Sequence, residues 1–173
     1  MKRFFVAVKE VAEVVLIAAV TVVIIRHFIV QPFLVSGASM EPNFSDGNYL
    51  LIDEVTYRFR DLQHSEVVVF RYPLDRKTFF IKRLIGLPGD QVAVRNGRIF
   101  LNGKLLEEGY LATGLFTGGE FDGTLKENQY FVLGDNRSHS YDSRNWGPIK
   151  REDIIGLVRL RILPLNQIEA FSY

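Results

Sequence analysis

A chain of 173 residues, 47% hydrophobic with 14 Phe, holds enough apolar mass for one ordinary domain and an appendage. A formal net charge of +1 argues against a nucleic-acid partner, because readers of nucleic acid carry a basic stripe. The absence of cysteine excludes disulfides, thiolate metal sites and cysteine nucleophiles, and three histidines (His27, His64, His139) are too few for a multi-histidine metal centre.

The first element in chain order is an apolar N-terminal segment. Lys2, Arg3 and Lys9 precede an uncharged run from Val14 to Ile25, 12 residues long. A bilayer needs about 20 residues of helix. Extended to Val11–Val30 the segment reaches 20 residues and takes in Glu13, Arg26 and His27 near its ends. Long side chains there can snorkel towards water. The reading for residues 1–30 is a cytoplasmic basic tip followed by a single transmembrane anchor, with the N-terminus cytoplasmic because basic residues concentrate before the span. The alternatives are a cleaved signal peptide ending at Ala38 and a helix buried in a soluble protein. Cleavage at Ala38 leaves a long spacer (Arg26, His27, Gln31, Pro32) between the apolar run and the cut.

From Gln31 onward the pattern changes, and the charges nearly balance at 17 basic and 18 acidic residues. Short β-rich runs alternate with turn signals: NYLLIDEV, EVVVFRY, TFFIKRLIG, DQVAVRNGRIFLNGK, QYFVLGD and IIGLVRLRIL. Asn96-Gly97 suits a type I′ hairpin turn, and Asn102-Gly103 marks another turn. The Gly-rich stretch 111–128 has weak patterning and reads as an irregular excursion within a small variable insertion around 91–128. PIKREDII, Pro148 to Ile155, reads as a short helix start. The expectation is a mainly β domain over residues 31–173.

Three stretches carry residues suited to chemistry. In SGASMEP, Gly37 and Ala38 leave the backbone beside Ser39 uncrowded, so an extended peptide can approach closely. The plain alternative is an ordinary turn. In FFIKRLIGLPGD, Lys82 lies among apolar residues, and strand alternation puts it on the face of Phe80, opposite Ile81 and Arg83. Lost hydration lowers such a lysine's pKa, and a neutral amine can act as a general base. A solvated strand lysine is the alternative. In GDNRSHSYDSRNWGP, Asp135 and Asp142 can pair with Arg83 or Arg144, and Ser140 or Ser143 can hydrogen-bond a neighbour. A polar surface loop is the alternative. A serine nucleophile needs a base. His139 with Asp142 would make a Ser–His–Asp arrangement, and Lys82 would make a Ser–Lys dyad; spacing alone does not choose between them.

Taken together, the three stretches resemble bacterial type I signal peptidases, membrane-bound serine proteases that remove signal peptides from exported preproteins. The nucleophile motif, near S-G-x-S-M-x-P-T, reads SGASMEPN here (Ser36 to Asn43). The base motif, near [YF]-[IV]-K-R-x-x-G-x-P-G-D, reads FIKRLIGLPGD (Phe80 to Asp90). The third, near G-D-N-x-x-x-S-x-D-S-R, reads GDNRSHSYDSR (Gly134 to Arg144). The resemblance implies an antiparallel β catalytic domain behind one N-terminal transmembrane helix. It implies Ser39 as nucleophile and Lys82 as general base, with Ser140 orienting the Lys82 amine. Asp135 with Arg83 and Asp142 with Arg144 would brace the site. His139 falls at a variable position.

Two positions depart from the family pattern. Some members bind the oxyanion with a serine hydroxyl two positions before the nucleophile; here that position is Gly37, so the hole must rest on backbone N–H groups with Ser39 the leading donor, and Ser36 and Gly37 are candidates for oxyanion or substrate binding. The usual Thr after Pro is Asn43, which can still close a turn. The implied reaction is cleavage after small-x-small sequences, with Val35, Phe80 and Ile81 lining shallow pockets. The implied partners are preprotein signal peptides and a lipid bilayer. The implied protein is a monomer in the plasma membrane with its catalytic domain extracytoplasmic, using neither metal nor organic cofactor. Apolar residues near Phe33 and Phe44 would meet the membrane interface, and the Ala38–Ser39 bond is itself a candidate for self-cleavage. The rival readings are a secreted non-enzymatic β-domain and a Ser–Lys self-cleaving regulator.

Overall fold

The computed structural model describes residues 2–28 and 30–171. Helix α1 (Lys2–Phe28) contains neither Gly nor Pro and stops before Gln31-Pro32. Its described side chains from Val11 to Val20 are exposed. No helix among the described residues is long and apolar enough to cross a membrane, so a bilayer-spanning α1 rests on the sequence alone.

The rest is mainly antiparallel β. The strands are β1 (Val30–Leu34), β2 (Tyr49–Asp53), β3 (Val67–Tyr72), β4 (Asp75–Gly86), β5 (Gln91–Arg95), β6 (Arg98–Leu101), β7 (Lys104–Leu105), β8 (Phe121–Thr124) and β9 (Gln129–Leu133). A short helix α2 (Ser143–Trp146) precedes β10 (Ile149–Lys150), β11 (Ile154–Leu163) and β12 (Glu169–Ala170). One sheet runs β1-β2-β11-β3-β4-β9-β10, with β12 on β11; a second runs β7-β6-β5-β8. Pro32, which has no N–H to donate, sits on edge strand β1.

Side-chain alternation places β3 at the centre of two cores. Val67 and Val69 pack with Met40, Phe44, Leu50 and Val158 on one face. Val68 and Phe70 pack with Leu84, Val132, Ile154 and Leu157 on the other. That is why VVVF reads as an unbroken apolar run. A third cluster, Ile85, Val92, Val94, Phe131 and Leu133 among its members, joins the two sheets. The large sheet curves until Phe33 on β1 meets Phe79 on β4, ring centroids 5.8 Å apart, although three strands lie between them in the sheet order.

The two Asn-Gly turns have positive φ at both residues (52° and 73° at Asn96-Gly97, 52° and 77° at Asn102-Gly103), as type I′ turns require. Three local expectations differ from the structure. PIKREDII begins as strand β10, because Ile149 pairs with Tyr130, and then forms a single 3-10 turn, Arg151–Asp153. The Gly-rich stretch contributes β8, which pairs with β5; its residues alternate only between half-buried and exposed, so the apolar signal is faint. Helix α2 arises inside the polar loop because Asp142 caps it. Its carboxylate accepts the Arg144 N–H, and Asn145 Oδ1 accepts the Asp142 N–H.

Candidate active site

Ser39 lies in the loop after β1, and the loop's path is set by two anchors. Met40 and Phe44 are buried in the core. Gly37 takes φ +91°, a conformation that favours glycine, and donates its N–H to Asp46 Oδ1 at 2.7 Å. Between these anchors Ser39 is held half-exposed.

Lys82 extends from β4 on the face of Phe80, with Nζ 5.4 Å from that ring's centroid. Nζ is 2.6 Å from Ser39 Oγ and donates to the Ile81 carbonyl at 2.9 Å. The residue is only 3% exposed. Burial pushes its pKa from 10.5 down to about 8, against the opposing pull of Asp142 and Asp135. A substantial neutral fraction therefore exists near neutral pH, and a neutral amine at this distance can accept the serine proton.

The loop from Gly134 to Arg144 closes the site from behind. Asn136 donates its backbone N–H to the Ser39 carbonyl at 3.1 Å and its Nδ2 to the Ala38 carbonyl at 3.0 Å. Arg83 clamps Asp135 through two bonds of 2.8 and 2.6 Å and donates to the Ser65 carbonyl at 2.8 Å. Its guanidinium also stacks 4.0 Å over the Tyr110 ring. Asn43 Nδ2 donates to Asp135 Oδ2 at 2.8 Å, which ties the serine loop to this pair. Arg144 clamps Asp142 through two 2.8 Å bonds, and Asp142 accepts the Gly134 N–H at 3.0 Å. Buried Arg137 links the Gly134 carbonyl to Glu108 and Thr117, and Arg144 donates to the Gly118 carbonyl at 2.9 Å. The Gly-rich stretch thus holds this loop in place.

A cleft of about 360 Å³ opens beside Ser39. The run Phe33 to Ser39 and the run Phe79 to Lys82 both line it, so Val35, Ser36, Gly37, Phe80 and Ile81 all face it. Tyr141 and His139 also line it. Among the described residues, β1 pairs only with β2, and Phe79 to Lys82 pair only with β3. Both backbones therefore keep an unpaired edge.

Ser140 differs from its expected place. Its Oγ is buried without a hydrogen-bond partner among the described residues, and the expected bond to Lys82 is not made. It packs against Gly134, where an added Cβ would lie 2.2 Å from Ser140 Oγ and 2.4 Å from the Ser39 carbonyl oxygen. His139 Nδ1 lies 3.0 Å from Ser138 Oγ and 3.3 Å from Asn136 Oδ1, on the exposed side of the loop. Sequence reasoning gave no role to Asn136 or Met40 and only a turn-closing one to Asn43. Asn136 and Asn43 stand within the quoted motifs, and that was the available signal.

The family model described as signal peptidase, peptidase S26, matches residues 8–163. The chain belongs to this family. A probable signal peptidase I-2 of Synechocystis sp. is 39% identical over 167 residues, covering 92% of this chain and 75% of the relative. Signal peptidase I P of Bacillus subtilis subsp. natto is 36% identical, covering 90% of this chain and 89% of that one. The crystal structure of a signal peptidase I from Enterococcus faecalis V583 superposes with a TM-score of 0.50 at 32% identity, covering 57% of this chain and 97% of that one. The chain is thus a serine endopeptidase of the signal peptidase I type, and the reading as a non-enzymatic β-domain is set aside.

Proposed function

We propose that the chain removes signal peptides from exported preproteins, cutting after small-x-small sites by a Ser39–Lys82 dyad. The 2.6 Å approach of buried Lys82 to Ser39 carries this reading. Neutral Lys82 takes the Ser39 proton as Oγ attacks the scissile carbonyl. The resulting ammonium gives its proton to the leaving amine. Lys82 then draws a proton from water, which attacks the acyl-enzyme and frees Ser39.

The substrate enters as an extended strand between β1 and β4. The unpaired edges of these strands supply main-chain partners, and alternate side chains turn into the cleft. Val35, Phe80 and Ile81 keep the pockets shallow and apolar. The oxyanion is met by backbone N–H groups of the serine loop, Ser39 foremost. The Gly37 N–H is already engaged by Asp46. Arg83–Asp135 and Arg144–Asp142 fix the loops that hold the dyad. Ser140 packs beside Gly134 and makes no bond to Lys82.

Residues 1–30 form the anchor, and 31–173 form an extracytoplasmic peptidase unit that acts as a monomer, with its insertion at 91–128. The exposed side chains of α1 include Val11, Val14, Val15, Leu16 and Ile17, so successive apolar residues point around the helix with no protein cover. Lipid is the environment suited to such a helix. Anchoring confines the enzyme to the surface where the substrate's apolar segment lies, which raises effective concentration without new contacts.

Incubation with a preprotein, with the new N-terminus mapped beside a Ser39→Ala control, tests the reaction. Cleavage that persists in the control, or that follows bulky residues, sinks it. Alkaline carbonate extraction of membranes tests the anchor: release of the protein into the supernatant overturns it.

A further inference from the structure

A second polar pocket, about 540 Å³, lies apart from the dyad. Arg58, Arg71 and Arg151 line it together with Glu54 and Glu152. Among the described residues none of the three arginines forms an ion pair with a carboxylate. Arg151 Nη1 is buried and has no hydrogen-bond partner there. A buried guanidinium N–H without an acceptor is costly, so the arrangement calls for one.

The pocket is also preformed. Tyr57 is buried, and its hydroxyl donates to the Ile154 carbonyl at 3.0 Å. The Arg151 and Arg58 guanidinium carbons lie 5.0 and 6.0 Å from its ring centroid, and Arg151 Nη2 donates to the Tyr57 carbonyl. Glu152 is engaged by Lys150 at 3.7 Å. Three guanidinium groups against two carboxylates, one of them already engaged by Lys150, leave the lining net positive. That suits the negative charge of a phosphodiester, and guanidinium forks suit its oxygens. Phe33, Phe79 and Ile155 supply apolar walls beside the charges.

Gln31 also lines the pocket, three residues after the end of α1 at Phe28. A chain of that length reaches at most about 10 Å. If α1 lies in the bilayer, the Gln31 wall of the pocket stands within that reach of the headgroup layer.

We propose that this pocket binds the phosphodiester of an anionic phospholipid headgroup. The lipid source rests on the membrane placement proposed above; the phosphate chemistry does not. Such a contact would orient the peptidase unit on the membrane surface.

The test uses the full chain in a neutral detergent, titrated calorimetrically with dihexanoyl-phosphatidylglycerol below its micellar concentration. Dihexanoyl-phosphatidylcholine and sodium phosphate serve as the other arms. The expected result is saturable binding of the phosphatidylglycerol alone, weakened at least about tenfold in Arg58→Gln/Arg71→Gln, whose altered side chains are exposed. Arg151→Gln should weaken it similarly, and the double variant decides the matter if Arg151→Gln fails to fold. Equal binding of phosphatidylcholine, or unchanged binding in the double variant, overturns the proposal. Inorganic phosphate binding as tightly as the lipid overturns the lipid assignment. The assay runs without a bilayer, so its outcome is independent of the carbonate test of the anchor.

Discussion

Lys82 Nζ lies 2.6 Å from Ser39 Oγ across 43 residues of sequence. Only one of the two protonation states of this pair is competent. When Lys82 is an ammonium, it donates to Oγ and cannot take the serine proton. When it is neutral, the hydroxyl donates to Nζ. With a pKa of about 8 in the free enzyme, kcat/KM for a signal-peptide substrate should rise tenfold per pH unit below that value and level off above it. A profile flat between pH 6 and 9 would refute a titrating lysine base. Ser39→Ala and Lys82→Ala should each lower kcat by at least about 10³-fold with the fold retained, read by peptide cleavage and circular dichroism.

The same burial makes Lys82 a liability to stability. Between pH 8 and 10.5 the unfolded chain holds this proton while the folded chain releases it. Stability contributed at this site therefore rises with pH across that window. Below it both states are protonated, and the folded state carries the full cost, about 3 kcal/mol from the fall in pKa. Lys82→Met should be more stable than the parent at pH 6, by an amount that shrinks as pH rises towards 10.5. Denaturant unfolding of both forms at several pH values checks this, and a gap independent of pH would count against the assigned cause.

Gly134 should tolerate no side chain. A Cβ there would fall 2.2 Å from Ser140 Oγ and 2.4 Å from the Ser39 carbonyl oxygen. The second contact is backbone, so relief requires the serine loop itself to move. A displacement of about 1 Å at a reacting group can cost about 10²-fold in rate. Gly134→Ala should therefore lower kcat by that order or more while leaving KM nearly unchanged. The double variant Gly134→Ala/Ser140→Ala, which removes the nearer obstacle only, should recover part of the loss.

The strands were legible because their apolar runs are short and bounded by turn residues. EVVVFRY and QYFVLGD stand out because β3 is buried from Val67 to Phe70 and β9 from Tyr130 to Leu133. β8 was not legible, because FDGT alternates half-buried with exposed and gains its place only by pairing with β5. Helix α2 was hidden for a different reason: its four residues follow from one cap at Asp142 and carry no apolar period. At the candidate site, motif positions named Ser39, Lys82 and the two Arg–Asp pairs. The hydrogen bonds of Asn136 and Asn43 were out of reach. They depend on which loops meet in space, and no local pattern in the sequence encodes that.

Asp135 and Arg83 provide the last prediction. Both are almost completely buried, and each clamps the other through two hydrogen bonds. Asp135 also receives Asn43 from the serine loop. Asp135→Ala takes the balancing carboxylate from the buried Arg83 guanidinium and leaves the Asn43 amide only the Tyr110 carbonyl, so it should cost about 3–5 kcal/mol of stability. Most of that is the penalty of an uncompensated buried charge. Arg83→Met with Asp135→Ala removes the charge as well, and the double variant should be more stable than Asp135→Ala alone. Stability and activity should then separate. The double variant still lacks the carboxylate that ties Asn43 to the Gly134–Arg144 loop and leaves it only the Tyr110 carbonyl, so its kcat should remain depressed after its folding has recovered. A double-mutant cycle measured by urea unfolding, with kcat taken on the same four proteins, resolves the two effects. Full recovery of kcat along with stability would show that the pair only holds the fold and does not position the serine loop.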